Sequence, residues 1–237
     1  MKYGKMLTVM VLFVVIACSN VKTRETLQQT GAHLKMGMAY LKEEKAQQAF
    51  VEFQQAYKLN PDDKEVLNSI GIIYLLYFDD TAKAVDFFEK AVRVDPNYSD
   101  AYNNLGVAYE KLGRFDAAIP FYKKSVSNMT YSTPEKAYIG MGNAYYRLGK
   151  YDDALTSFKE ATKRAPNIGL PYMRMALCYN AMGRYGDASS AMTYAITLDP
   201  AYKGDREKAL EAFNAWKLKA SGREEKDIQD YIEILKY

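Results

Sequence analysis

The sequence predicts an all-α protein, a right-handed superhelical solenoid of helix-turn-helix units. Three observations carry that prediction. Prolines recur at Pro61, Pro96, Pro166 and Pro200, each closing an apolar-periodic stretch: "KLNP", "RVDP", "KRAP" and "TLDP". Aligned on these prolines, "GMAYLKEEKAQQAFVEFQQAYKLNP" and "GNAYYRLGKYDDALTSFKEATKRAP" share Gly, Ala-Tyr, Ala, Phe, Ala and Pro at matching places. The period is about 34 residues, enough for two short helices and their turns. A chain of 237 residues with 49% apolar and 26% charged residues has the length and the ordinary globular composition to build such an array.

The first element is a leader. "MKYGKMLTVMVLFVVIAC" begins with Lys2 and Lys5 and continues as a mainly apolar run of 12 residues, Met6 to Ala17. A bilayer-spanning helix needs roughly 20 apolar residues, so the run is too short to span and reads as a secretory signal peptide over residues 1–17. Val15-Ile16-Ala17-Cys18 resembles a bacterial lipobox: aliphatic, variable, small, Cys. The resemblance implies a diacylglycerol on the Cys18 sulfur, cleavage before Cys18 and acylation of the new amine. Two or more acyl chains hold a bilayer firmly where one does not. Ser19, in place of an Asp after the cysteine, points to an outer-membrane, lipid-anchored, periplasm-facing protein. Residues 18–29 are then a lipidated tether. Without residues 1–17 the chain has 30 basic and 29 acidic residues, a net of +1, which gives no argument for nucleic-acid binding.

Five repeats follow across residues 30–202, and their spacing is that of the tetratricopeptide repeat (TPR). Repeat one, 30–63, carries Gly37, Tyr40, Ala49, Phe53, Ala56 and Pro61. Repeat two, 64–98, carries Gly71, Tyr74, Ala84, Phe88, Ala91 and Pro96, with one extra residue in its turn near Asp79-Asp80. Repeat three, 99–134, carries Tyr102, Leu105, Gly106, Tyr109, Ala118 and Tyr122; its closing proline is missing and its tail "SNMTYSTPE" is two residues long for the pattern. Repeat four, 135–168, carries Gly142, Tyr145, Ala154, Phe158, Ala161 and Pro166. Repeat five, 169–202, carries Ala176, Tyr179, Ala188, Met192, Ala195 and Pro200. Small residues let the two helices of a repeat approach, aromatics fill the space beside them, and proline stops the second helix. Gly113, Gly149 and Gly183 are expected to end first helices. Asp62-Asp63, Asp79-Asp80 and Asp152-Asp153 are expected in turns, as caps and solvated loops.

Residues 203–237 predict two amphipathic helices around Ser221-Gly222, with Asp205 as an N-cap. Ile228, Tyr231, Ile232 and Leu235 fall at i, i+3, i+4 and i+7 and form one apolar face. The segment reads as a degenerate sixth repeat that caps the array.

No catalytic motif stands out. There is no CxxC, HExxH, GxSxG or glycine-rich phosphate loop, and the single histidine, His33, falls where packing residues are expected. No enzyme, metal or small-molecule substrate is implied, and the only cofactor-like group is the lipid on Cys18. Of the two cysteines, Cys178 is left without a partner and falls at a position expected to be buried. Asn97-Tyr98-Ser99 and Asn128-Met129-Thr130 match glycosylation sequons, which mean little in a bacterial chain.

The informative surface is the inside of the superhelix, lined in such arrays by positions 2, 5, 9 and 12 of each first helix. Those positions hold Leu34, Met38 and Leu41; Asn68, Ile72 and Leu75; Asn103, Val107 and Glu110; Ile139, Asn143 and Tyr146; Met173, Leu177 and Asn180. The set is mostly apolar, threaded with asparagines, and lacks the Lys/Arg pattern of arrays that clamp a C-terminal carboxylate. Asparagines can pair with the backbone of an extended peptide while apolar neighbours take its side chains. The expected ligand is an apolar peptide or strand of a protein partner; the competing reading packs some of these residues against a neighbouring repeat or the capping helices.

A lipobox followed at once by such repeats resembles the type IV pilus biogenesis lipoproteins called PilF, PilW or Tgl. The sharpest local element is "NMTYSTPEKAYIGMGNAYYRLGKYDDA", whose long linker with Tyr and Pro-Glu looks like that family's. The resemblance implies a pilotin, which helps the pilus secretin reach the outer membrane and assemble. Repeats one to four would then bind the secretin subunit. The alternative is a general periplasmic repeat scaffold serving outer-membrane protein assembly or recruiting cell-wall hydrolases.

Overall fold

The computed structural model describes residues 23–237. Residues 1–17, expected as a signal peptide, and Cys18 lie outside the described residues. Within these, twelve helices and no strand are found: α1 (23–42), α2 (Ala46–Leu59), α3 (Lys64–Leu76), α4 (Thr81–Val94), α5 (Ser99–Lys111), α6 (Phe115–Val126), α7 (Pro134–Arg147), α8 (Tyr151–Arg164), α9 (Gly169–Ala181), α10 (Tyr185–Leu198), α11 (Arg206–Lys217) and α12 (Gly222–Ile234). Residues 23–29, expected as tether, are helical and belong to α1. Two compact units divide the chain, the first ending at Ala101 and the second running from Tyr102 to Tyr237.

Helices pair in sequence within each unit, α3 with α4, α7 with α8, α9 with α10. The pairing rests on one repeated contact. The ring of Phe53 packs against the backbone of Gly37, Phe88 against Gly71, Tyr122 against Gly106 and Phe158 against Gly142. Each of these four rings is fully buried. A Cβ on Gly71 would fall 2.5 Å from Cε1 of Phe88, closer than any real carbon contact. Repeat five has Ala176 and Met192 at the corresponding places, and the flexible thioether accommodates the extra methyl. Ala49, Ala84, Ala118, Ala154 and Ala188 are all fully buried where the second helices cross the first.

The helix ends follow from local chemistry. Gly113, Gly149 and Gly183 have φ near +70° and terminate α5, α7 and α9 as expected. In repeats one and two the same left-handed turn falls on Glu44 and Asp79, non-glycine residues with φ of 59° and 53°. Asn60, Asp95, Ala165 and Asp199 each precede a closing proline and each is out of helical geometry. Asp63, Asp80 and Asp205 accept backbone N–H bonds as N-caps of α3, α4 and α11. Asp152 and Asp153 do not cap. They sit inside the first turn of α8, where their charge complements the helix dipole, and the N-cap position is Lys150. In the long tail of repeat three, Asn128 Oδ1 accepts from Thr130 N and Oγ1, Tyr131 turns inward, and Pro134 opens α7.

The second unit's largest core joins α8, α9 and α10 to the two C-terminal helices. Phe158, Leu177, Cys178, Met192, Phe213, Ile228, Tyr231 and Ile232 are buried in it together. Burial pushes the Cys178 thiol up to about 12, so it remains a protonated, inert core group.

The ring–glycine contact predicts opposite signs for two glycine substitutions. Gly71→Ala drives a methyl into Phe88 and is expected to lower stability by about 1–3 kcal/mol. Gly31→Ala, in α1 with open space around the new methyl, is expected to raise it by about 0.5–1 kcal/mol. Urea unfolding midpoints of the two variants check both signs.

Candidate functional site

The inner positions of the first unit do not behave alike. Met38 is 45% exposed. Leu34 and Leu41 are half-buried and pack on the Phe53 core, and Ile72 is half-buried in α3. Asn68 is buried. Leu75, expected in the lining, is only 2% exposed and is a core residue. The reason is that α3 is apolar on nearly all sides and is buried without a break from Val66 to Gly71. His33 is not a packing residue: its Nδ1 lies 2.7 Å from Glu52 Oε2 and its ring is partly exposed.

In the second unit, Val107, Asn143 and Tyr146 come together around one small cleft with Glu110, Arg147 and Arg174. Asn103 is buried and Ile139 half-buried. Leu177 is 1% exposed and therefore cannot line an open groove. It lies in the core that α9 and α10 share with α11 and α12, and α12 packs against both α9 and α10. Met173 lines a larger cleft formed with Trp216 and α12. Here the protein's own C-terminal helix occupies the inner side of repeats four and five. Asn180, the last inner position, accepts a bond from the Tyr237 hydroxyl at 3.4 Å.

What holds α12 is a carboxylate. Asp227, 6% exposed at its side chain, receives Arg147 Nη2 at 2.6 Å and Nη1 at 3.3 Å, a two-pronged pair. Arg174 Nη1 lies 3.5 Å away and the Tyr146 hydroxyl donates at 3.4 Å. None of Arg147, Arg174 and Asp227 stands out in the sequence reading. The available signal was that Asp227 is four residues before Tyr231, which places a charge on the buried side of α12 and calls for a cation opposite.

On the other side of the two arginines, Glu110 accepts the Tyr122 hydroxyl at 2.6 Å. Burial pushes the Glu110 carboxyl up to about 7, against the lowering pull of the Tyr122 hydrogen bond and of Arg174 and Arg147. Burial also raises the Tyr122 hydroxyl, so it stays a donor.

Family profiles described as tetratricopeptide repeat match residues 30–63, 65–98 and 171–202 in one form, 87–119 in a second and 135–168 in a third, together more than half of the chain. The chain is a tetratricopeptide-repeat protein. Among solved structures it is similar to PilW, titled a widely conserved type IV pilus biogenesis factor, with a TM-score of 0.71 and 19% identity over 86% of this chain and 90% of that one. It is also similar to PilF of Pseudomonas aeruginosa, with a TM-score of 0.68 and 16% identity over 86% of this chain and 98% of that one. At these identities the likeness is one of tetratricopeptide fold. Among curated relatives, anaphase-promoting complex subunit 3 of Schizosaccharomyces pombe is 34% identical over 76 residues, 32% of this chain and 11% of its own length. The aligned stretches span about a quarter or less of the curated tetratricopeptide relatives matched.

Two outcomes follow from the charges. Asp227→Ala leaves two guanidinium groups facing an empty, largely dry position. It is expected to cost about 2–3 kcal/mol, below the loss for a fully buried pair because Arg147 is partly solvated. Hydrogen exchange should show the loss concentrated in α12. For Glu110, the folded carboxyl binds its proton below about pH 7 and the unfolded one only below its ordinary value near 4.5. Between these limits the folded state holds more protons, so Glu110 makes stability fall as pH rises, by at most about 1.4 kcal/mol per pH unit. Glu110→Gln should flatten that window, read as unfolding free energy against pH for both proteins.

Proposed function

We propose that this chain is a lipid-anchored tetratricopeptide scaffold that acts as a pilotin, helping the secretin of a type IV pilus reach the outer membrane and assemble there. The observation that carries the reading is the likeness to PilW, which extends over 86% of this chain and 90% of that structure rather than over a few repeats. The lipobox-like Val15-Ile16-Ala17-Cys18 supports an anchor at Cys18, a covalent lipid rather than a bound cofactor. In this reading the lipid keeps the scaffold at the periplasmic face of the outer membrane while the repeats hold an exposed apolar segment of a secretin subunit.

The first unit offers the better place for that segment. Met38 is exposed on α1, and Leu34, Leu41 and Ile72 are half-buried. A flexible methionine suits a surface that must accept an apolar chain. In the second unit, Leu177 is already enclosed in the core shared with α11 and α12. Binding here is non-covalent and needs no catalytic group.

The test uses the source bacterium with this gene deleted, complemented by wild type, Cys18→Ala or Met38→Asp. Membranes are blotted for heat-resistant secretin multimers. Loss in the deletion and rescue by wild type alone is the expected result, with Met38→Asp reducing multimers without affecting the amount of scaffold. Normal multimers in the deletion strain would overturn the pilotin reading in favour of a scaffold for other envelope proteins.

A further inference from the structure

The turn between α11 and α12 is held by its own backbone, and it carries apolar side chains outward. The N–H groups of Lys219 and Ala220 both donate to the Trp216 carbonyl, at 2.9 and 3.1 Å, and Ala220 packs on the core of the second unit. The same turn leaves Leu218 89% exposed and Trp216 47% exposed. Leu170, at the start of α9, is exposed too and lines one cleft with Trp216, Lys219 and Ala220; exposed Ile168 stands two residues before it. A single exposed apolar residue is ordinary, whereas several around one turn form a patch that marks a contact.

Cations rim this patch. From Trp216 to Lys226 the chain carries Lys217, Lys219, Arg223 and Lys226 against Glu224 and Glu225. Lys217 donates to the neutral amide oxygen of Gln229 at 2.7 Å. Lys219, Arg223 and Lys226 are exposed, and none of them is in an ion pair among the described residues. Of the next acids, Asp227 is held by Arg147 and Arg174, and Asp230 is half-buried one turn on from Lys226.

We infer that the α11–α12 turn rests on an anionic bilayer surface, with Leu218 and Trp216 in the headgroup region and the cations on lipid phosphates. Protein interfaces are depleted in lysine, while tryptophan and leucine set among lysine and arginine are the composition of interfacial membrane contacts. Each cation near such a surface is worth a factor of about five in binding. The backbone of the turn is already fixed, so little order is lost on contact. The inference rests neither on the pilotin reading nor on acylation of Cys18.

Trp216 is the single tryptophan of the chain, so its fluorescence reports on this turn alone. The full chain is mixed with vesicles of phosphatidylcholine, or of phosphatidylcholine with a rising share of phosphatidylglycerol, made with brominated acyl chains. Bromine quenches tryptophan only at short range, so attachment through the N-terminal segment does not by itself give the signal. The expected result is a blue-shifted, quenched Trp216 in the anionic vesicles and little change in the neutral ones, with the effect reversed by high salt. Leu218→Asp, or Lys219→Glu with Arg223→Glu, should raise the phosphatidylglycerol share needed for half-maximal quenching several-fold. Their unfolding midpoints should stay unchanged, because all three side chains are exposed. Absence of quenching, equal quenching in neutral vesicles, or full quenching in both variants would each overturn the inference. So would an emission shift with polyglutamate but none with vesicles, which would make the patch a site for an acidic protein segment instead.

Discussion

The distance between the two helices of a repeat is set by an aromatic ring lying on a glycine. Phe53, Phe88, Tyr122 and Phe158 each occupy the space a Cβ would need on the partner helix. Interiors at native density cannot absorb an added methyl without moving something, and a fully buried ring between two backbones has little room to move. The small alanines at the crossing, the glycine turns and the proline stops all serve helices already held at that separation. Four of the five repeats form their own contact of this kind, and the fifth packs Met192 on Ala176 instead, so no single contact carries the whole array.

Repeat three modifies the contact in a way that organises its surroundings. Tyr122 lies against Gly106 of α5 and also against Gly140 of α7, so one ring spaces two helices. Its hydroxyl is a polar group in a closed place and needs an acceptor, which Glu110 supplies. That puts a half-buried carboxyl near Arg147 and Arg174, which in turn reach Asp227 on α12. A hydroxyl in place of a hydrogen on one ring is thus linked, through acid and base, to the seat of the final helix.

The repeat pattern was legible in the sequence because it is written in residue size and conformational freedom. Gly71, Ala84 and Phe88 have to be what they are, and Gly113, Gly149 and Gly183 must adopt left-handed backbone. The inner surface was less legible. Position along a first helix places Leu75 and Leu177 in the same row as Met38, yet two are core and one is open. The difference comes from what covers each row, which for Leu177 is a core that includes the two C-terminal helices. Periodicity reports the side of a helix on which a residue lies, not whether another element lies above it. The charges around Asp227 were hidden for the same reason, since Arg147 and Asp227 are 80 residues apart in the chain.

The turn between α11 and α12 has a consequence for how long the protein lasts. Leu218 is 89% exposed there, and the residues from Leu218 to Gly222 offer a protease an open stretch of backbone. A cut at that point removes little mass, but it turns α12 from a covalently held neighbour into a ligand that can leave. Phe213, on which the Tyr231 ring packs, would then lose that cover, and Arg147 and Arg174 would lose their carboxylate. The clipped chain would bear a fresh apolar surface of the kind that quality-control proteases and aggregation both act on. The short connection between α11 and α12 is thus a place where a single cut would undo packing that the five repeats alone do not supply.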